Sequence, residues 1–375
     1  MGERELNRLK IETYTPVSIG SGTVMSPITD FFVSQKELCF LNKPELSNAI
    51  AEKRKIDLFS KQIAKSINAS RTGTNFSIDT FIKRELGMNP ANIVTKTIPF
   101  PNATQTKEQI TSCILSNGRP FIPGSTIKGA MKGAILYSWL MSSQGSNTLN
   151  NIISDIQNNR QPDLNFFSDQ FPPYNQAQKP SNKRLYVDIS IGDSELFPET
   201  SMVVFRTERL HLDGGRSKVP QTKLCIAKKQ TSTFPYKSNQ WPFNKDTINM
   251  INEFAYQSLT VEQDILNQSS NVDYNASENL NQFYDSIKDE IVSIKTSNDV
   301  ACFLRIGSGK SYYDNSIGMA IYLQNPNAFR SLQAKYKLGM APRQKVYKIK
   351  NIFPITRTVI SGYNIPMGWV KIQLY

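Results

Sequence analysis

FIPGSTIKGAMKG, residues 121–133, is the stretch on which the fold turns. An apolar run meets Pro123-Gly124, which supplies a sharp entry, and Ser125 is the right residue type to cap the helix that follows. A helix N-terminus carries roughly half a positive charge and unpaired N–H groups. Lys128 and Lys132 fall four apart on one face near that end, with no Asp or Glu in the tract. Stability alone would favour an acid there, whereas this pattern suits an anion such as an RNA phosphate. Gly129 and Gly133 each cost about 1 kcal/mol relative to Ala inside a helix. With Ala130 and Ala134 they give it a side that another backbone can approach closely. A tightly packed helix with solvated lysines accounts for the same residues, and the tract alone weighs the two readings equally.

Outward from this tract, short strands are mixed with helices, so the fold class is α+β. Ile110-Ser112-Ile114 reads as a strand running into the helix, which continues to about Met141. Earlier, Leu9-Ile11-Thr13 alternates before a loop at Gly20 to Gly22. Residues 31–33 and 38–41 read as paired strands, and residues 45–65 as a helix with Leu46 and Ile50 inward. Residues 71–106, polar and interrupted by Pro90, Pro99 and Pro101, read as an insertion. Residues 142–182 are rich in Asn, Gln, Ser and Pro, which marks a loop or linker. The expected domains are therefore 1–182 and 183–375, in keeping with a length too great for one ordinary core.

The second half opens on Leu185-Val187-Ile189-Ile191, an alternating strand. Residues 203–212 read as another, pairing through Gly214-Gly215 with residues 222–226 as a hairpin whose loop carries Arg216 and Lys218. Residues 278–296 form an amphipathic helix, with Leu280, Phe283, Ile287, Ile291 and Ile294 at spacings of three and four. Strands are expected at 301–306, 319–323, 346–349 and 370–374.

At four places the chain resembles the RAMP superfamily of CRISPR-associated proteins. The first is Ile122-Pro123-Gly124-Ser125-Thr126-Ile127-Lys128-Gly129-Ala130, a proline-glycine-serine turn opening an I-K-G-A helix. The others are Thr15 through Gly22, Leu304-Arg305-Ile306-Gly307-Ser308-Gly309 with Gly318, and Ile365-Pro366-Met367-Gly368-Trp369-Val370. In this order they are similar to the type III-A subunits that cap the Csm complex at the 3′ end of its guide RNA. The resemblance implies two ferredoxin-like, or RRM-like, RAMP domains with insertions, and a glycine-rich loop near the C-terminal end. It implies crRNA, with target RNA, as the ligand. It also implies the backbone RAMP subunit and the small helical subunit as neighbours, a noncatalytic role, and help in guide maturation by recruiting or limiting host nucleases.

The RNA-binding residues expected from these segments are Gly20, Ser21, Gly22, Ser125, Lys128, Gly129, Lys132, Arg305, Gly307, Gly309 and Lys310, with Arg216 on the hairpin loop. Gly307 and Gly309 let the backbone turn tightly and bring Arg305 and Lys310 toward a sugar-phosphate chain, or they form a purely structural turn. Gly307-Ser308-Gly309-Lys310-Ser311 departs from the P-loop pattern, because the position that should hold the first glycine is Leu304, which makes a nucleotide-hydrolysing reading weak. Composition agrees with a polyanionic partner: 44 Lys+Arg against 31 Asp+Glu give +13. No run approaches the roughly 20 apolar residues of a membrane span, and none near the start reads as a signal peptide. The expectation is a cytoplasmic protein without membrane contact. Cys39, Cys113, Cys225 and Cys302 show no CxxC spacing and read as small core residues, with no metal or cofactor implied.

Catalysis has few candidates. His211 is the one histidine and sits in a strand beside Asp213, which excludes a two-histidine nuclease. Asp30 abuts Phe31-Phe32-Val33, and the backbone subunit of related complexes cuts target RNA with an aspartate in the corresponding loop. Both residues read first as structural. An endoribonuclease working through Asp30 or His211, and an assembly protein touching RNA only incidentally, are the alternatives. Tyr312, Tyr313, Tyr336, Tyr347 and Tyr363 lie among Lys310, Lys335, Lys337, Arg343, Lys345, Lys348 and Lys350. That interleaving suits base stacking, although any one Tyr is more readily explained as core.

Overall fold

The computed structural model describes residues 7–68, 76–103, 108–162, 189–213, 220–238, 241–269, 272–297, 299–340 and 344–375. In the first part run β1 (Asn7–Thr13), β2 (Gly20–Met25), β3 (Phe31–Ser34), β4 (Glu37–Leu41), α1 (Lys43–Glu52), α2 (Ile56–Asn68), α3 (Ile78–Glu85), β5 (Val94–Pro99) and β6 (Ile110–Cys113). The short pair β7 (Leu115–Ser116) and β8 (Arg119–Pro120) leads into α4 (Gly124–Met141) and α5 (Ser146–Gln157). Then come β9 (Ser190–Ile191), β10 (Met202–His211), β11 (Gln221–Ile226), β12 (Thr231–Lys237), α6 (Lys245–Asn267) and α7 (Tyr274–Thr296). The chain closes with β13 (Ala301–Arg305), α8 (Gly318–Gln324), α9 (Pro326–Tyr336), β14 (Thr356–Ile360), β15 (Ile365–Pro366) and β16 (Trp369–Leu374).

A five-stranded sheet has the order β13-β16-β1-β12-β9, and a six-stranded sheet the order β15-β14-β10-β11-β6-β2. Both combine strands from before residue 163 with strands from after residue 188. β1 is central in the first because Leu9, Ile11 and Thr13 are all fully buried, the alternation expected of it. Leu9 and Ile11 share the main core with α4, α6 and α7; α6 packs on both α4 and α7, and all three reach β13. A three-stranded sheet, β3-β4-β5, carries its own small core with α1 and α3.

The paired strands at β3 and β4, the strand at β6, the α4 stop at Met141, the amphipathic α7 and the strands β13 and β16 stand where their patterns put them. The β10–β11 hairpin is antiparallel, from Met202 opposite Ile226 to Thr207 opposite Gln221. Several expectations are corrected. The Gly20 to Gly22 loop is part of edge strand β2, whose pairing with β6 is irregular between Gly20 and Val24. The helix of 45–65 is two helices, broken where Arg54 takes φ +53°. Within 71–106, three apolar residues at helical spacing, Ile78, Phe81 and Ile82, are enough to seat α3 in the small core.

The segment 142–182 likewise contains α5, with Leu149, Ile152, Ile153 and Ile156 buried in the main core; residues 163–182 lie outside the described ones. Residues 185–188 of the alternating strand do too, leaving β9. Residues 319–323 belong to helix α8 instead of a strand, since a five-residue apolar run has no period to separate the two. Residues 346–349 form no strand, and Val346 and Ile349 are exposed. Helix α6 stands where no element was expected. All four cysteines are buried free thiols. Among the described residues no helix is long and apolar enough to cross a membrane.

Candidate nucleic-acid interface

The start of α4 differs from its sequence reading in one respect. Pro123 occupies the cap position, and Ser125 is exposed with no capping bond, because the helix begins at Gly124, two residues earlier than a Ser125 cap would start it. The Gly124 N–H donates instead to Asp193 Oδ1 at 2.8 Å. An acid distant in sequence thus supplies the negative charge that the tract lacks. Close backbone approach also falls at Gly124: a Cβ there would land on the carbonyl oxygens of Ile191 and Gly192. Gly129 meets nothing, and Gly133 comes only within ordinary contact of the Asp314 carbonyl. Gly129 therefore leaves the exposed surface of α4 low beside Lys128 and Lys132. Burial, with Lys128 adding repulsion, lowers the Lys132 pKa. No acid lies in the first turn of α4.

Three of the resembling segments meet in space. The Ile306 N–H donates to the Gly368 carbonyl (2.7 Å), the Ser308 N–H to Ser18 (2.9 Å), the Gly368 N–H to Pro16 (3.0 Å), and the Trp369 N–H to Thr15 Oγ1 (2.9 Å). Gly307, at φ +67°, could not carry a side chain without striking the Ser18 carbonyl, and a Cβ on Gly309 would strike that of Met367. These glycines admit the protein's own backbone, so the structural account of the turn prevails over space kept for RNA. No α-helix follows the turn directly; after a short 3-10 turn at Tyr313–Asn315, α8 starts at Gly318.

Arg305 is corrected as a phosphate ligand because it is 4% exposed and turned inward onto two buried carboxylates. Its Nη1 lies 2.8 Å from Glu262 Oε1 and 3.5 Å from Asp314 Oδ2. The other Glu262 oxygen receives the Tyr284 hydroxyl at 2.7 Å and lies 3.3 Å from Arg357 Nε. Burial would raise the Glu262 pKa, but two guanidiniums outweigh it and hold the carboxyl at about 2. For Asp314 burial wins, and its pKa is raised. Neither Glu262 nor Arg357 drew notice in the sequence. The available signal was a lone acid on the apolar face of α6, among Leu259, Val261, Ile265 and Leu266.

Lys310 remains available beside this network, half-buried, its pKa lowered by burial and partly restored by Asp314. Since Gly133 faces the Asp314 carbonyl, the lysine-bearing part of α4 lies next to the turn that carries Lys310. Gly20, Ser21 and Gly22 are exposed on β2, with Ser21 Oγ 2.6 Å from Thr23 Oγ1. Arg216, Lys218 and Arg343 lie outside the described residues. Asp30 accepts the Ser26 N–H (2.8 Å) and the Thr29 hydroxyl (2.9 Å) and pairs with Lys43 (2.7 Å). Burial opposes its ionisation, but these partners together keep its pKa below the usual value. His211 Nδ1 lies 3.7 Å from Asp213, which also pairs with Lys350 at 3.3 Å. Among the tyrosines, Tyr313 is fully buried and Tyr312 packs on Phe329 and Phe353, while Tyr336 and Tyr363 are exposed.

No family model matches the chain. Over 131 residues it is 26% identical to a protein of Methanocaldococcus jannaschii described as the CRISPR system Cms protein Csm5, a stretch covering 35% of this chain and 30% of that one. By sequence and by fold the chain is similar to Csm5. A crystal structure of T. onnurineus Csm5 superposes with TM-score 0.58 at 17% identity, over 96% of this chain and 99% of that one. A chain of the cryo-EM structure of a Csm–crRNA–target RNA ternary complex from a type III-A CRISPR-Cas system does so with TM-score 0.63, at 17% identity, over 98% of this chain and all of its own. These likenesses show a mixed helix-and-sheet fold shared with Csm5 structures.

Proposed function

We propose that the chain is a noncatalytic, crRNA-binding subunit of a type III-A Csm effector complex, acting in the cytoplasm. It caps the 3′ region of the guide, contacts the backbone RAMP subunit and the small helical subunit, and assists guide maturation by recruiting or limiting host nucleases. Its two large sheets are the candidates for two ferredoxin-like RAMP units. The observation that carries the reading is the pair Lys128 and Lys132 on α4, a helix with no acid in its own sequence, near Lys310 at the glycine turn. Half-buried ammonium groups in such a place are stabilised by an added anion, and a phosphate chain supplies one at each nucleotide. The Csm–crRNA–target RNA complex among the similar structures supports the same ligand. A noncatalytic role is supported by Asp30, whose carboxylate is spent on Lys43 and on its own loop. The experiment is footprinting of crRNA in the Csm complex assembled with and without this chain. Loss of protection confined to the guide's 3′ region is expected, and unchanged protection would reject the capping role.

A further inference from the structure

The six-stranded sheet has two unlike faces. On one, Met202, Val204, Leu224 and Ile110 pack on Phe31, Leu38, Ile98 and Phe100. Alternation turns Val203, Phe205, Thr207 and Arg209 of β10, and Lys223 and Cys225 of β11, to the other. There, among the described residues, only Val203, Cys225, Ile360 and Met367 form a buried cluster, at one end.

Residues directly opposite on neighbouring strands share a face. The register sets Val24, Thr111, Lys223 and Phe205 in one row across β2, β6, β11 and β10. Tyr363, in the turn between β14 and β15, extends the row. Its ring meets Phe205 edge-on, with centroids 6.2 Å apart, and it is 45% exposed. Lys223 is 9% exposed, a polar side chain sunk into the face. Burial lowers its pKa; the Cys225 thiol offsets part of that, and Arg209 adds repulsion. The nearby described acids are engaged elsewhere. Glu108 meets Arg206 and Thr222, which alternation puts on the opposite face, and Asp213, past the end of β10, pairs with Lys350 and lies near His211.

Among the described residues no carboxylate pairs with Lys223; a buried cation so placed gains from a bound anion, and an aromatic pair at its flank gives flat groups a surface on which to stack. An acidic peptide would supply the charge alone; single-stranded RNA supplies both. We propose that this outer sheet face binds single-stranded RNA, with Lys223 toward phosphate and Tyr363 on Phe205 as the stacking platform. The proposal rests on the RNA-binding reading above and adds to α4 a second contact, one that touches bases.

The test uses the full chain with a fluorescent oligouridylate of about ten nucleotides, a length suited to one single-strand site. Tyr363→Ala changes an exposed residue and should weaken binding about fivefold or more, the lower end of what one stacked base contributes. Lys223→Gln should weaken it and flatten its salt dependence. The Lys128→Ala/Lys132→Ala double variant serves as the separate probe of α4. Unchanged affinity in Tyr363→Ala and Lys223→Gln, with a loss in the α4 variant, overturns the sheet face and leaves the α4 reading standing. No oligouridylate binding by the unaltered chain overturns both. Tight binding of a poly-glutamate peptide that Tyr363→Ala weakens equally would make the face a protein interface and also overturn the proposal.

Discussion

Arg305 and Glu262 form a buried ion pair, Nη1 to Oε1 2.8 Å, that ties β13 to α6. The second Glu262 oxygen reaches Arg357 of β14, so one carboxylate joins the five-stranded sheet to the six-stranded one. Removing it leaves two buried guanidiniums without their shared counter-charge. Glu262→Gln should therefore destabilise the chain by about 3–5 kcal/mol. The pH dependence follows in sign. The folded pKa, about 2, lies below the ordinary 4.5, so the contribution is present above pH 4.5 and is lost as pH falls toward 2. Thermal unfolding of both proteins across that window checks this: their gap should narrow as acid is added, and a constant gap would refute the linkage.

Gly309 and Gly129 should respond in opposite directions. Gly309 has the Met367 carbonyl where a Cβ would go, whereas Gly129 meets nothing within 4 Å. Gly309→Val should lower the Tm of the chain in the absence of any RNA. Gly129→Ala should raise stability by up to about 1 kcal/mol through helix propensity. If Gly129→Ala also weakens RNA binding while the fold is firmer, that exposed notch on α4 is where the ligand backbone comes close. The Tm and an RNA affinity on each variant suffice.

Most of the fold was readable where the apolar period is long. Leu9-Ile11-Thr13 and the α7 series Leu280, Ile287, Ile291 and Ile294 announce their elements because burial selects one side of the chain. It was not readable where few apolar residues do the work. Leu149, Ile152, Ile153 and Ile156 anchor α5 inside a segment that composition marks as linker. The lysines of α4 and the glycine turn could be found from charge and punctuation alone. Asp193 at the α4 start, and the Glu262 partners of Arg305, could not, since they are contacts between residues distant in sequence.

Lys128→Ala/Lys132→Ala in the assembled complex should weaken guide binding almost equally for unrelated spacer sequences. Contacts to phosphate position RNA without reading its bases. Each lost contact should reduce the salt slope by about 0.7 for a single strand. Competition between two spacers at several ionic strengths measures both quantities. A loss confined to one spacer would mean base readout at α4, and an unchanged slope would mean that the lysines act through packing.

Asp30→Ala and His211→Ala should leave target RNA cleavage by the complex intact. A general base needs a free lone pair at the reacting group, and the Asp30 oxygens are turned to Ser26, Thr29 and Lys43. His211 comes closer to such a role, with Asp213 at 3.7 Å, the start of an oriented histidine–carboxylate pair. That carboxylate is shared with Lys350, however, and the charge it could lend to an imidazolium is already partly neutralised. The two variants thus separate a binding subunit from an endoribonuclease. Cleavage products mapped along the target, with guide loading and subunit composition measured in parallel, give the answer. Disappearance of the cut nearest the guide's 3′ end in His211→Ala, with loading and composition unchanged, would make the chain a nuclease and His211 its base.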